Sequence, residues 1–253
     1  MYIPRTAIKA VSLAMARNSV HHYLNGLLLE SSGDTVRLVA TDGVRLHMID
    51  IEQSTAGEQS EPTPPLPEGV IVPRELVDWA LKNSTKRAPG VTVSVVPTPP
   101  ADNGAARPPV ITVTAGSASM SAPAVDGRFP DYLRAIPTEL SGEAGQYNPT
   151  YIADAYAAVL ELYDSRGKRY CAPQLQHNGT GPALMTFGRF AAVIMSWRAG
   201  IARDGTPDAI DPRLLYPVGR ALAGERAAVP LPPGWEAEQG AVDYANAVSK
   251  AAP

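Results

Sequence analysis

The sequence predicts an α+β protein made of three similar units, each a strand, a helix and three further strands. Three stretches open alike, namely Ile3-Pro4-Arg5, Val72-Pro73-Arg74 and Asn148-Pro149-Thr150. Proline suits the first turn of a helix, because the amide that it lacks would have no partner there. A repeat of roughly 70 residues is too long for a solenoid and suits duplicated units whose antiparallel sheets join side by side, with the helices on one face.

The three helices are predicted from apolar residues at helical spacing after each proline. Such spacing indicates an amphipathic helix with one buried side. The residues on the three predicted buried faces are Ile8, Val11 and Met15; Leu76, Val77, Ala80 and Leu81; and Ile152, Ala155, Tyr156, Val159 and Tyr163.

Strand-like runs follow each helix, separated by turn residues. In the first unit Ser31-Ser32-Gly33-Asp34 predicts a hairpin turn, and Asp42-Gly43 predicts a second turn. The predicted strands are Tyr23–Glu30, Val36–Thr41 and Val44–Ile51; Val91–Val96, Val110–Ala115 and Ala118–Ala122; and Cys171–Gln176, Ala183–Phe187 and Phe190–Trp197.

Composition and segment boundaries limit the classes of protein. The net charge of −3 provides no global basic field for nucleic acid, and the single cysteine, Cys171, excludes a disulfide framework within the chain. Without a signal-peptide pattern or a long apolar run, we expect a cytoplasmic protein with no membrane partner. We expect a complete domain at 1–137 (units at 1 to about 60 and about 68–137), a single unit at 138–200, and an extended or partly disordered tail at 201–253.

Three local sequences carry a family resemblance. The strings Val20–Glu30, Val39–Leu46 and Val125–Tyr132 resemble, in order and spacing, the middle domain of bacterial beta sliding clamps, the beta subunit of DNA polymerase III. More weakly, Tyr147–Asp154 and Ala192–Arg198 resemble the second half of the final clamp domain, although Ser196 and Trp197 depart from the usual Pro-Met. The resemblance implies DNA-clamp half-repeats, of which this chain would hold three.

An odd number of half-repeats does not decide how many chains assemble. In the family, two three-domain chains close a ring around DNA. Here two chains could pair their third units, four chains could form a larger ring, or the chain could stay a monomer. We expect a homo-oligomer, and so reduced a form suits a phage or mobile element.

The resemblance implies a pocket for short peptides of DNA polymerase, the clamp loader and repair proteins. Apolar walls would accept the anchors of an extended peptide, and arginines on the rim would orient its polar atoms. The alternative is that Leu24, Leu46, Val193 and Ile194 are ordinary core residues. The matching positions are Leu24, Thr41, Gly43, Val44, Arg45 and Leu46; Pro130 and Arg134; and Val193, Ile194, Met195, Ser196, Trp197 and Arg198.

The resemblance also implies non-specific, salt-sensitive contact between the helices and double-stranded DNA. Plain surface charge is the alternative, and Asp154 and Glu161 in the third helix weaken the case for a basic lining. The candidate residues are Arg5, Lys9, Arg17, Arg74, Lys82, Lys86 and Arg87.

An enzyme is not expected. His21 and His22 are adjacent on a predicted strand, so they would point to opposite faces and make a poor metal pair. We expect no catalytic residue, metal or cofactor. The sequence thus predicts a processivity or tethering factor for DNA replication; the alternatives are a non-encircling clamp mimic that competes for partners, and a structural oligomer that uses only the fold.

Overall fold

The structure is a computed structural model that describes residues 1–53, 65–85, 89–163 and 171–197. Within them the helices are α1 (Arg5–Ser12), α2 (Arg74–Asn83) and α3 (Pro149–Tyr163). The strands are β1 (Tyr2–Pro4), β2 (Leu27–Ser32), β3 (Thr35–Thr41), β4 (Arg45–Glu52), β5 (Leu66–Val72), β6 (Gly90–Val96), β7 (Val110–Ala115), β8 (Ala118–Pro123), β9 (Gln174–Gln176), β10 (Ala183–Phe187) and β11 (Phe190–Ile194). The described residues belong to one compact unit, Met1–Ile201; the predicted tail at 201–253 lies outside them.

The first two units exchange their first strands. The sheets have the orders β1-β6-β7-β8 and β5-β2-β3-β4-β11-β10-β9, and all pairings are antiparallel. Strand β1, which opens the first unit, therefore pairs with β6 of the second, and β5, which opens the second, pairs with β2 of the first. This exchange ties the two units into one body.

The third unit extends the sheet of the first unit. Strands β4 and β11, the last strands of their units, pair antiparallel with Leu46 opposite Val193 and Ile49 opposite Phe190. Helices α1 and α3 lie side by side on the same face of this sheet. The predicted domain at 1–137 and the predicted unit at 138–200 thus share one continuous seven-stranded sheet.

The main core lies between the sheets and the helices. Alanines and branched residues of the three helices, including Val11, Leu76 and Val159, are fully buried against residues such as Leu38 and Phe190. Their burial supplies the main driving force for folding. This arrangement confirms the predicted α+β class with helices on one face.

A second, smaller core lies on the opposite face of the seven-stranded sheet. Leu28, Val39, Leu46 and Val193 are buried there beneath Tyr132. Tyr132 belongs to the segment 124–137, here called the connector, which leaves the second unit and crosses this face.

Three local predictions were wrong. Tyr23 to Asn25 form part of a 3-10 turn (His22–Asn25), not the start of a strand, so His21 and His22 are not strand neighbours. The residue after this turn is Gly26. A glycine suits this position because the chain passes so close to β5 that a Cβ would lie 2.6 Å from Ile71 Cγ2. Tyr156, predicted on the buried face of α3, is exposed.

The lead-in to the third helix also differs from prediction. No strand lies between the 3-10 turn Tyr132–Ala135 and the start of α3 at Pro149. The third unit therefore has a helix and three strands. Gly142 in this lead-in has φ of 73°, a conformation that favours glycine. None of the three described helices combines the length and the apolar character that a membrane span requires.

Candidate peptide-binding site

The turn between β3 and β4 is fixed by its own side chains. The Thr41 hydroxyl donates to the Arg45 carbonyl at 2.6 Å and accepts from the Gly43 amide at 3.1 Å. The Asp42 carboxylate accepts from the amides of Val44 and Arg45 at 3.1 and 3.0 Å. Gly43 has φ of 95°, a conformation that favours glycine. As a result the turn presents Val44 to solvent with 43% of its surface exposed.

Arg45 is held from three sides. Its Nε donates to Asp42 at 2.9 Å, its Nη1 forms an ion pair with Asp154 of α3, and its guanidinium lies 4.4 Å from the centre of the Tyr151 ring. Only 12% of the side chain is exposed. In this arrangement Arg45 positions the turn and joins it to the third unit, rather than forming a free rim for a ligand.

The segment after β11 continues along the same edge of the turn. The Met195 amide donates to the Val44 carbonyl at 2.9 Å, and the Trp197 amide donates to the Gln146 carbonyl at 2.6 Å. Between them the Ser196 hydroxyl donates to the Thr180 carbonyl. Met195 and Trp197 remain 42% and 55% exposed. We call Val44, Met195 and Trp197 the junction surface; Arg198 lies outside the described residues.

Four apolar residues of the predicted pocket are buried, and Thr41 is buried as well. Leu24, Leu46, Val193 and Ile194 are all enclosed by the protein. Leu46 and Val193 belong to the small core beneath the connector, and Ile194 belongs to the main core. The core interpretation of these residues is therefore the one that matches their burial.

The connector holds Pro130 and Arg134, the remaining predicted pocket residues. Both are exposed, and Arg134 pairs with Asp131 at 2.9 Å. Pro130 lines a cavity of about 920 Å³ together with Leu28, Ile71 and Phe129. This cavity lies between the connector and strands β2 and β5, so the structure assigns Pro130 to a hollow that sequence analysis did not predict.

A polar latch fastens the connector to the sheet. The Tyr132 hydroxyl donates to Glu30 at 2.6 Å and accepts from Arg37 at 3.3 Å. Arg37 in turn forms two hydrogen bonds with Asp50, at 2.6 and 2.8 Å. Burial and the bond to Glu30 raise the pKa of Tyr132 to about 12, so the phenol stays protonated as a donor.

Most of the described DNA candidates have partners within the chain. Arg5 and Lys9 both form ion pairs with Glu161 of α3. Arg74 donates to the carbonyl of Ala16. Arg17 and Lys82 are exposed, whereas Lys86 and Arg87 lie outside the described residues.

Sequence reasoning missed the residues that organise the junction surface. Tyr151 of the third unit meets Arg45 of the first only through the fold, and Gln146 accepts its hydrogen bond from Trp197 at the far end of the third unit. Asp154 was noted as an acidic residue, but its partner Arg45 is 109 positions away. Such a pairing leaves no local signal in a sequence.

Comparisons with known proteins show the family of this chain. The family model of the DNA polymerase III beta subunit, central domain, matches residues 4–131. The Beta sliding clamp of Pseudomonas aeruginosa is 34% identical over 133 residues, which are 53% of this chain and 31% of that protein. The Beta sliding clamp of Escherichia coli K12 is 33% identical over 164 residues, which are 64% of this chain and 39% of that protein. The aligned part thus spans only about a third of these relatives.

Solved structures show the same fold. The DNA polymerase III subunit beta from Pseudomonas aeruginosa gives a TM-score of 0.56 at 20% identity, covering 79% of this chain and 66% of that one. The DNA polymerase sliding clamp from Caulobacter crescentus gives a TM-score of 0.56 at 17% identity, covering 79% and 65%. The fold is therefore that of the DNA sliding clamps. The chain belongs to the family of the DNA polymerase III beta subunit, through the central domain of that protein.

Proposed function

We propose that this protein is a non-catalytic, sliding-clamp-like processivity or tethering factor of DNA replication. It binds double-stranded DNA non-specifically, works in the cytoplasm as a homo-oligomer, and holds a polymerase, a clamp loader or repair proteins through their clamp-binding peptides. Family membership supports the class of function. The observation that carries the peptide-binding part is the junction surface, where the large apolar side chains of Val44, Met195 and Trp197 stay exposed.

The chemistry of the junction surface suits the apolar end of an extended peptide. Large exposed apolar side chains that lie together often mark sites of protein interaction. Val44 and Met195 are neighbours because their backbones share a hydrogen bond, and Trp197 follows along the same segment. Trp is enriched among the residues that dominate binding energy at interfaces, so Trp197 gives a peptide a strong anchor.

Binding of a fluorescent clamp-binding peptide to the full chain tests the peptide-binding part. We expect Met195→Asp to weaken the peptide by tenfold or more, about 1.4 kcal/mol. The matched control is Val96→Asp, since Val96 is also an exposed apolar residue but lies on β6 of the other sheet. Equal affinity of the two variants, or no binding by the wild type, would contradict the proposal. Leu24→Asp is unsuitable as a test because Leu24 is buried. The substitution would unfold the protein and so abolish binding wherever the peptide site lies.

The DNA-binding part is tested by the salt dependence of affinity for duplex DNA. Contacts between phosphates and Lys or Arg release counterions, so affinity should fall steeply as salt rises. Of the candidate DNA-binding residues that the structure describes, Arg17 and Lys82 are exposed and can contribute. A salt-independent or undetectable affinity for linear and circular duplexes would remove DNA from the proposal.

A second candidate function is a non-encircling clamp mimic that competes for clamp-binding partners. The observation that favours it is the internal pairing of Arg5 and Lys9 with Glu161, which reduces the positive charge available on the helices. Retention on circular DNA separates the two functions. A processivity factor stays on the closed circle and is released on linearisation, whereas a mimic binds the peptide but is not retained.

A further inference from the structure

Strand β8 ends its sheet with an open edge. It is the last strand in the order β1-β6-β7-β8, and no strand in the described part of the chain pairs with its outer side. Its sequence, Ala-Ser-Met-Ser-Ala-Pro, contains no charged residue. Soluble proteins commonly protect open edges with charges, bulges or prolines, and here only Pro123 at the end of the strand does so. The edge is therefore suited to pairing.

The backbone groups on this edge can be assigned. The Ala124 amide donates to Pro109 on the β7 side at 2.8 Å, and the Val125 amide donates to Ile71 on the opposite side at 3.0 Å. Because such groups alternate in direction along a strand, the amides and carbonyls of Ser119 and Ser121 face the open edge. The side chains of Met120 and Ala122 pack against the main core.

The chain itself shows how the last strand of a unit is covered. In the first and third units the last strands, β4 and β11, pair antiparallel, and helices α1 and α3 lie beside them, bridged by Glu161. Strand β8 is the last strand of the second unit, and α2 packs against β7 and β8 as the other helices pack on their sheets. The second unit thus offers a surface of the same construction with its partner missing from the described residues.

We propose that a second copy of this chain covers β8, through a two-fold antiparallel pairing of β8 with β8 centred on Met120. In this register Ser119 of each copy faces Ser121 of the other, and the two serine pairs make four backbone hydrogen bonds. A two-fold interface must be complementary to itself. Helix α2 meets this condition, because it exposes Glu75 and Asp78 in its first half and Lys82 in its last turn. Antiparallel α2 helices from the two copies bring these opposite charges together.

This inference rests on the homo-oligomer of the proposed function and names its contact surface. The mass of the full chain in solution, measured by light scattering at micromolar concentration, tests it. We expect a dimer for the wild type and for Ser121→Ala, which keeps the amide. Ser121→Pro removes one outward amide from each copy, without taking a hydrogen bond from the β7 ladder, and should shift the dimer toward monomer by tenfold or more in dissociation constant. A monomeric wild type, or a Ser121→Pro dimer of unchanged stability, would overturn the proposal.

The register is tested by disulfide cross-linking in a Cys171→Ser background, which removes the only native cysteine. Residues that face each other without hydrogen bonds in an antiparallel pair have Cα atoms about 4.5 Å apart, within the range that a disulfide spans. Met120→Cys should therefore cross-link two copies on mild oxidation, whereas Ser119→Cys, which faces Ser121, should not. Cross-linking through Leu175→Cys in β9, with none through Met120→Cys, would move the interface to the third unit and overturn the proposal.

Peptide binding separates this inference from the proposed function. Strand β8 belongs to the other sheet from β4 and β11, so Ser121→Pro should bind the clamp-binding peptide with the affinity of the wild type. A dimer that binds no peptide in any form would defeat the proposed peptide site and leave the β8 pairing standing. A monomer that binds the peptide would overturn the β8 pairing and leave the proposed peptide site standing. Melting curves of each variant establish that it is folded.

Discussion

Arg45 of β4 forms an ion pair with Asp154 of α3, and this contact joins the first unit to the third beside the junction surface. Arg45 is also the residue that follows the β3–β4 turn and lies over Tyr151. The position of Val44 on that turn therefore depends on a residue of the third unit. The exposed surface and the contact between units are parts of one structure.

Asp154→Asn should both lower the stability of the protein and weaken its binding of the peptide. We expect a loss of about 1–3 kcal/mol in the free energy of unfolding, because a hydrogen bond to a charged group is removed from a mostly enclosed arginine. Urea denaturation measures it, with Asp34→Asn as the control, since Asp34 is an exposed acid in the hairpin turn between β2 and β3. Equal midpoints for the two variants would show that Asp154 does not hold the units together.

Tyr132→Phe should loosen the connector. The substitution removes the hydrogen bond to Glu30 and the one from Arg37, and we expect a cost of about 1–2 kcal/mol. Hydrogen exchange should rise in residues 124–137 more than in the helices. Tyr156→Phe is the control, because Tyr156 is exposed on α3. If exchange of the connector is unchanged, the latch contributes nothing to its position.

His47 should make the protein less stable in mild acid. The ring is fully buried on β4, its Nδ1 bonds the Ala10 carbonyl at 2.9 Å, and burial lowers its pKa from 6.5 to about 4. Since the folded state binds the proton less readily than the unfolded state, its contribution is complete above pH 6.5 and is lost as the pH falls toward 4. We expect a loss on the order of 2 kcal/mol at pH 5 relative to pH 7.5.

Urea denaturation of His47→Gln at the two pH values checks this assignment. Glutamine can still donate to Ala10 but does not titrate, so the difference between pH 7.5 and pH 5 should shrink. His21→Gln, at an exposed position, should leave the difference as it is in the wild type. The opposite ranking of the two variants would show that the acid sensitivity comes from elsewhere.

Glu161→Gln should strengthen binding to duplex DNA if the helix face contacts phosphates. The substitution frees Arg5 and Lys9 from their shared partner. We expect an increase of roughly 3- to 10-fold at low salt and a steeper dependence on salt. Filter binding or fluorescence anisotropy measures both quantities, and Glu139→Gln, an exposed acid outside the helices, is the control. An unchanged affinity would place the DNA contact on another face.

The fold could be predicted from sequence because its units are local. The prolines before each helix, the apolar spacing of residues such as Val11 and Val159, and the turn at Asp42-Gly43 each act within a few residues. The exchange of β1 and β5 could not be predicted, because the partners of these strands lie in another unit. The 3-10 turn at Tyr23 was missed because its residues also suit a strand.

Sequence resemblance selected the residues of the candidate site but not which of them are exposed. Family resemblance selected Val44, Met195 and Trp197, which are exposed together, and also Leu24, Leu46, Val193 and Ile194, which are buried. Residue type does not show whether an apolar side chain lines a binding surface or lies in the core, because leucine, valine and isoleucine occur in both places. Burial depends on what crosses above, and here the connector covers part of the sheet.

The central claim is that the junction surface receives a clamp-binding peptide. Photo-cross-linking tests it most directly: the apolar anchor of the peptide is replaced by benzoylphenylalanine, the full chain is irradiated, and the attachment site is located by mass spectrometry. We predict attachment to Met195, Val44 or Trp197, with competition by unlabelled peptide. Competable attachment to the connector cavity, at residues such as Leu133 or Phe129, or no competable attachment at all, would contradict the account.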